Sequence, residues 1–122
     1  MKNKAEKVTG GCLCGRVRYK AEVFLKNGCI CHCTMCQRST DQPAEITMPI
    51  KSGTLKYLEA EPKYYVSGEY GKRGFCEECG SRIIWQALHA ENDWLTNIDV
   101  RSLDNPSEAR ASSHIFANTQ LP

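Results

Sequence analysis

The chain has 122 residues, enough for one domain with a modest core. Its 41% hydrophobic and 25% charged content excludes a disordered chain, and a net charge of +2 is too small to point to nucleic acid or an anionic membrane. No apolar run approaches the ~20 residues of a membrane span, and the basic start Met1-Lys2-Asn3-Lys4 has no apolar stretch behind it, so no export signal is visible and a cytoplasmic location is expected.

In chain order, residues 1–9 read as a flexible polar tail and 10–122 as a single domain. Val17, Tyr19, Ala21 and Val23 interleave with Arg16, Arg18, Lys20 and Glu22, which predicts a strand with one wet face. Cys29 to Cys33 reads as extended. Thr34 to Thr40 can hold a helical turn. Ile46, Met48 and Ile50 alternate again, with Pro49 placing that strand at an edge or bulge. Leu55 to Leu58 and the aromatic, β-branched Lys63-Tyr64-Tyr65-Val66-Ser67 predict two more strands, and Gly68 to Gly74 a loop. Arg82 to Trp85, Trp94 to Val100 and His114 to Phe116 are the remaining strands, with a possible helical turn over Leu103 to Ala109. Short strands punctuated by Gly, Pro and Asn predict an all-β fold. Trp85, Trp94, Tyr64 and Tyr65 are core candidates first and pocket walls second.

Eight cysteines dominate the composition. In a reducing compartment that content favours metal over disulfides, and no βαβ pattern surrounds Cys76 and Cys79 to suggest a redox pair. The spacing fits zinc. Cys12-Leu13-Cys14 is a C-x-C, Cys29-Ile30-Cys31-His32-Cys33-Thr34-Met35-Cys36 holds four cysteines in eight residues, and Cys76-Glu77-Glu78-Cys79-Gly80 has the form of a knuckle turn. Tetrahedral zinc places its sulfurs ~3.8 Å apart, within reach of an extended C-x-C or a C-x-x-C turn. The simplest partition makes Cys12, Cys14, Cys76 and Cys79 a closed structural site. Cys31, Cys33 and Cys36 form a triple with an open fourth position, and the domain then carries two zinc ions. In an extended segment the Cα of Cys29 lies ~13 Å from that of Cys33, so Cys29 reads as a small half-buried thiol unless the chain bends at Ile30. His32 points away from the flanking sulfurs and is expected to pack or to support them.

These motifs are specific in combination. Gly11-Cys12-Leu13-Cys14-Gly15-Arg16-Val17-Arg18-Tyr19, Cys31-His32-Cys33-Thr34-Met35-Cys36-Gln37-Arg38 and Phe75-Cys76-Glu77-Glu78-Cys79-Gly80-Ser81 resemble the glutathione-dependent formaldehyde-activating enzyme family, which includes centromere protein V. Leu103-Asp104-Asn105-Pro106 and His114-Ile115-Phe116 look like its C-terminal motifs, so the resemblance spans about residues 10 to 118. It implies a small all-β, zinc-stabilised domain of twisted antiparallel sheets. It also implies a structural zinc on Cys12, Cys14, Cys76 and Cys79, a catalytic-type zinc on Cys31, Cys33 and Cys36, and carbon–sulfur lyase chemistry joining glutathione to formaldehyde. Ser39-Thr40-Asp41-Gln42 and the extra Cys29 depart from the family pattern.

Beside that implication stand the residues themselves. A zinc with three thiolates is a weak Lewis acid toward water and favours a soft thiol as its fourth ligand. Arg16, Arg18 and Arg38 can receive substrate carboxylates or can be ordinary solvated arginines. His114 can carry a proton near neutral pH or simply sit hydrogen-bonded in a strand. Asp104 is expected to cap the turn at Pro106. The partner expected is a small thiol or aldehyde, with neither nucleic acid nor membrane; the oligomeric state is not legible. The rival reading is a non-catalytic, zinc-stabilised binding module, for which a second site closed by Cys29 would speak.

Overall fold

The alternation from Arg18 to Val23 is realised in full. In β2 (Arg18–Val23) the side chains of Tyr19, Ala21 and Val23 are buried while Lys20 faces water. The computed structural model describes residues 4–89 and 95–122; Trp94 lies outside them. β2 is the middle of a three-stranded sheet between β1 (Glu6–Gly11) and the short β5 (Lys56–Tyr57), both antiparallel to it. The tail expected over residues 1–9 is therefore shorter. Glu6 to Gly11 carry little apolar signal, yet each pairs with a residue of β2, and Gly10 sits opposite Tyr19. A Cβ at Gly10 would run into the Tyr19 hydroxyl and the Ser102 carbonyl, so the glycine permits the close approach.

The second sheet has seven strands in the order β10-β3-β4-β9-β8-β7-β6. These are β3 (Gly28–Cys31), β4 (Glu45–Pro49), β6 (Lys63–Val66), β7 (Gly71–Phe75), β8 (Arg82–Ala87), β9 (Thr96–Asp99) and β10 (Ala111–Ile115). All neighbours are antiparallel except β10, which runs parallel to β3. β7 replaces the loop expected over Gly68 to Gly74. Its glycines are packing slots as well as turn signals: a Cβ at Gly71 would run into the Trp85 indole, and one at Gly74 into Ile84.

Between the sheets, Val17, Tyr19, Val23 and Leu25 form one core with Met48, Ile83, Ile84, Ile98 and Leu103. Full burial of each of the larger aliphatic side chains contributes about 1.5–3 kcal/mol. Tyr19 is fully buried, and its hydroxyl lies 2.7 Å from Ser102 Oγ, which satisfies both groups. Tyr64 packs at the edge of this core and Trp85 is half-buried, but Tyr65 is 66% exposed, contrary to its reading as a core candidate. In β6 it shares the strand with Tyr64 on the opposite face, and the alternation puts Tyr65 outside.

The helical turn at Thr34–Thr40 is α1, and Leu103 to Ala109 holds a 3-10 turn over Pro106–Glu108. Its cap is Asn105, whose side chain accepts from the Ser107 N–H at 3.2 Å. Asp104, expected to cap, instead takes a two-pronged contact from Arg18, with Arg18 Nη1 2.9 Å from Asp104 Oδ1, and a bond from Thr9 Oγ1 at 2.6 Å. Two charges and a hydroxyl from β1 and β2 outcompete a local backbone N–H. Arg18 is thereby paired with Asp104 rather than a free surface arginine. Among the described residues no helix is long and apolar enough to cross a membrane.

Candidate metal centres

Two turns bring the four cysteines of the first group together. Cys12 and Cys14 lie between β1 and β2, and Cys76 and Cys79 between β7 and β8. All four sulfurs fall within 4.8 Å of one another. Cys12 to Cys14 is 3.6 Å and Cys14 to Cys76 is 3.7 Å, close to the sulfur spacing of a zinc tetrahedron. Cys12-Leu13-Cys14 is a turn rather than the extended C-x-C expected. Gly15 at φ 85° and Gly80 at φ 79° take the left-handed conformation that each turn requires. Backbone N–H groups of Val17 and Cys79 point at the sulfurs of Cys12 and Cys76, at 3.3 and 3.5 Å. The Ser81 hydroxyl and backbone hold the Cys79 thiol down to about 5. Against the hydrogen bond from the Arg16 backbone, burial and the neighbouring thiols push Cys14 in the same group up to about 11.

The second group is built where β3 gives way to α1. Cys31 ends the strand, Cys33 is the helix N-cap with its sulfur 3.3 Å from the Cys36 N–H, and Cys36 is buried in the first turn. The three sulfurs again lie within 4.8 Å, with Cys31 and Cys36 3.2 Å apart. Cys29 is outside the group: it pairs with Thr47 inside β3, half-buried, where burial pushes its thiol up. Soft, all-sulfur donors at these spacings suit a tetrahedral metal ion, and the three-sulfur group offers it one further position.

The charged residues beside this centre, Arg73, Glu45, Arg82 and Asp99, were not singled out from the sequence. Arg73 of β7 is buried, with its guanidinium nitrogens 3.7 and 3.8 Å from Cys36 Sγ and Nη1 donating to Glu45 Oε1 at 3.1 Å. Arg82 Nη2 donates to the other oxygen of Glu45 at 3.0 Å. Burial opposes ionisation of Glu45, but the neighbouring Asp99, Arg82 and Arg73 together hold its carboxyl below the usual range. Burial, and then the hydrogen bond to Glu45 and its charge, push Asp99 well above its usual value. The only sequence signal was that Glu45 and Thr47 occupy the face of β4 opposite Ile46 and Met48.

The remaining candidates are spread. His32, between two cysteines, is buried, and its Nε2 lies 2.8 Å from Nδ1 of His114 on β10, with the rings stacked. His114 and Arg38 are exposed, the latter two residues beyond Cys36 on α1. Arg16 is exposed in the turn after Cys14, apart from the three-cysteine group.

A model of the glutathione-dependent formaldehyde-activating enzyme family matches residues 7–119. The chain belongs to this family. Among curated proteins, an uncharacterized lyase of Schizosaccharomyces pombe is 25% identical over 88 residues, covering 72% of this chain. The chain spans 64% of that relative's length. A solved structure of a Rhodobacter sphaeroides protein superposes with a TM-score of 0.68 at 21% identity, over 87% of this chain and 98% of that one, and shares the fold of this family member.

Proposed function

We propose that this protein is a zinc-dependent, carbon–sulfur lyase-type enzyme that acts on the adduct of glutathione, or another small thiol, with formaldehyde or a related aldehyde. The observation that carries the reading is the convergence of Cys31, Cys33 and Cys36 without a fourth protein sulfur among the described residues, in a chain of this family. Cys12, Cys14, Cys76 and Cys79 would hold a structural zinc and Cys31, Cys33 and Cys36 a second one. Zinc at the second group would hold a substrate thiol as its thiolate and polarise a neighbouring carbonyl.

The chain's own residues supply the setting. Three thiolates against one divalent ion leave one negative charge, and Arg73 lies against Cys36 to offset it. His114, exposed on β10 and hydrogen-bonded to His32, would carry the proton that the aldehyde oxygen gains or loses. Arg38, exposed on α1 two residues beyond Cys36, would meet a substrate carboxylate. The whole functions as a single cytoplasmic domain with a small-molecule partner.

Calorimetry of glutathione against the two-zinc protein tests this, repeated with Cys36→Ser. Binding by the wild type and its loss in the variant are expected. Equal binding by both proteins would remove the second zinc from recognition. Failure of the two-zinc form to bind any low-molecular-weight thiol would favour a non-catalytic binding module.

A further inference from the structure

His32 is held at its backbone N–H, its carbonyl and its ring, in each case by a residue more than eighty positions away, and at the carbonyl also by Gln37. Its N–H donates to the Ile115 carbonyl at 3.0 Å. Its carbonyl accepts from Thr119 Oγ1 at 2.7 Å and from Gln37 Nε2 at 2.9 Å. Gln37 Nε2 also reaches the Thr119 carbonyl at 3.1 Å, and the His32 ring is bonded to His114. These bonds exist because the chain reverses after β10. Phe116 takes the left-handed conformation at φ 55°, and the 3-10 turn Ala117–Thr119 then brings Thr119 back over His32. An aromatic residue resists that conformation, so the bonds made beyond it must hold the turn.

His32 is the link between two candidate ligands. Rotation about its backbone dihedrals moves the Cys31 sulfur relative to the Cys33 sulfur, and metal–ligand distances tolerate only about 0.2 Å. In the first group the matching residue is held less: Leu13, between Cys12 and Cys14, is 87% exposed and is tied through its N–H to Ser81 Oγ. A group with three protein ligands has less binding energy to impose its own geometry, so it gains more from a loop that is already set.

We propose that residues 114–119 form a positioning clamp that, through His32, sets the cysteine geometry and the metal retention of the three-cysteine group without touching the metal. This rests on the reading that Cys31, Cys33 and Cys36 hold a metal ion.

The test is zinc release to a coloured chelator from the full-length, zinc-loaded protein, for wild type, Thr119→Val and Thr119→Ser. The valine keeps the shape of threonine and removes the hydroxyl bonded to the His32 carbonyl. About tenfold faster release of one of the two zinc ions is expected, the lower range for removing a group that supports a metal ligand, with the other ion and the thermal midpoint unchanged. Serine restores the slow release. Release at the wild-type rate in Thr119→Val, or equal acceleration of both ions, would overturn the clamp. Wild-type protein that binds only one ion per chain would instead overturn the three-cysteine reading beneath it.

Discussion

The Arg73 guanidinium lies 3.7 Å from the Cys36 sulfur, a buried cation against a buried candidate ligand. Arg73 also carries one side of Glu45, whose other oxygen belongs to Arg82. Replacing Arg73 by Met leaves Glu45 and any Cys36 thiolate short of a buried partner. The expected loss is about 3–5 kcal/mol of folding stability, measured by urea unfolding of the zinc-loaded protein. Arg73→Lys recovers only part of it, because one ammonium cannot span the carboxylate and the sulfur together.

The two metal groups should differ in what they support. Cys76 is fully buried in the core cluster and ties β7 and β8 to the turn after β1. Cys76→Ser is expected to abolish soluble folded protein, since metal binding there is folding free energy. Cys36→Ser is expected to leave a folded chain with one zinc. Circular dichroism with metal analysis on both variants checks this; comparable unfolding of the two would contradict unequal groups.

Cys29 should be dispensable for metal. It lies within β3, outside both sulfur clusters. A Cys29→Ala protein is expected to retain two zincs per chain by elemental analysis, whereas loss of one would close the second group with a fourth cysteine.

Acid should uncouple Asp104 from Arg18. The hydrogen bonds from Arg18, and then Thr9, hold the Asp104 carboxyl at about 2 against an ordinary 3.8. A carboxyl depressed in the folded state stabilises above its unfolded value and loses that contribution as pH falls toward the folded one. Both side chains are partly solvated, so the contribution is at most ~1 kcal/mol. Asp104→Asn should therefore unfold more readily than wild type at pH 7, with the gap shrinking as the pH falls from about 4 to about 2. Salt screens the same pair without protonating the zinc thiolates, so the gap at pH 7 is also expected to shrink in about 1 M salt; a gap undiminished there would assign the difference to packing rather than charge.

The joining of two cysteine pairs into one group rested on partition of the ligands. The pairs themselves, Cys12 with Cys14 and Cys76 with Cys79, and the triple Cys31, Cys33 and Cys36, were legible because their members sit two or three residues apart, where local geometry decides what can meet. The helical turn Thr34–Thr40 was legible for the same reason. Glu45 and Arg73 were not. They meet because β4, β9, β8 and β7 lie side by side, and that register spans the chain from Glu45 to Ala87 and on to Asp99. Gly71 and Gly74 read as turn signals because the sequence does not reveal that Trp85 and Ile84 lie across them. β1 was missed since strand pairing, rather than an apolar alternation, holds its polar stretch in place.

β10 runs beside β3 in the same direction, more than eighty positions later in the chain. During synthesis from the N-terminus, Cys12, Cys14, Cys76 and Cys79 all leave the ribosome before Ala111–Ile115 does. The four-cysteine knot can thus close on a nascent chain, while Cys31, Cys33 and Cys36, although made early, wait for a strand that has yet to emerge. The order of emergence therefore puts every member of the four-cysteine group outside before the strand that covers the outer flank of β3.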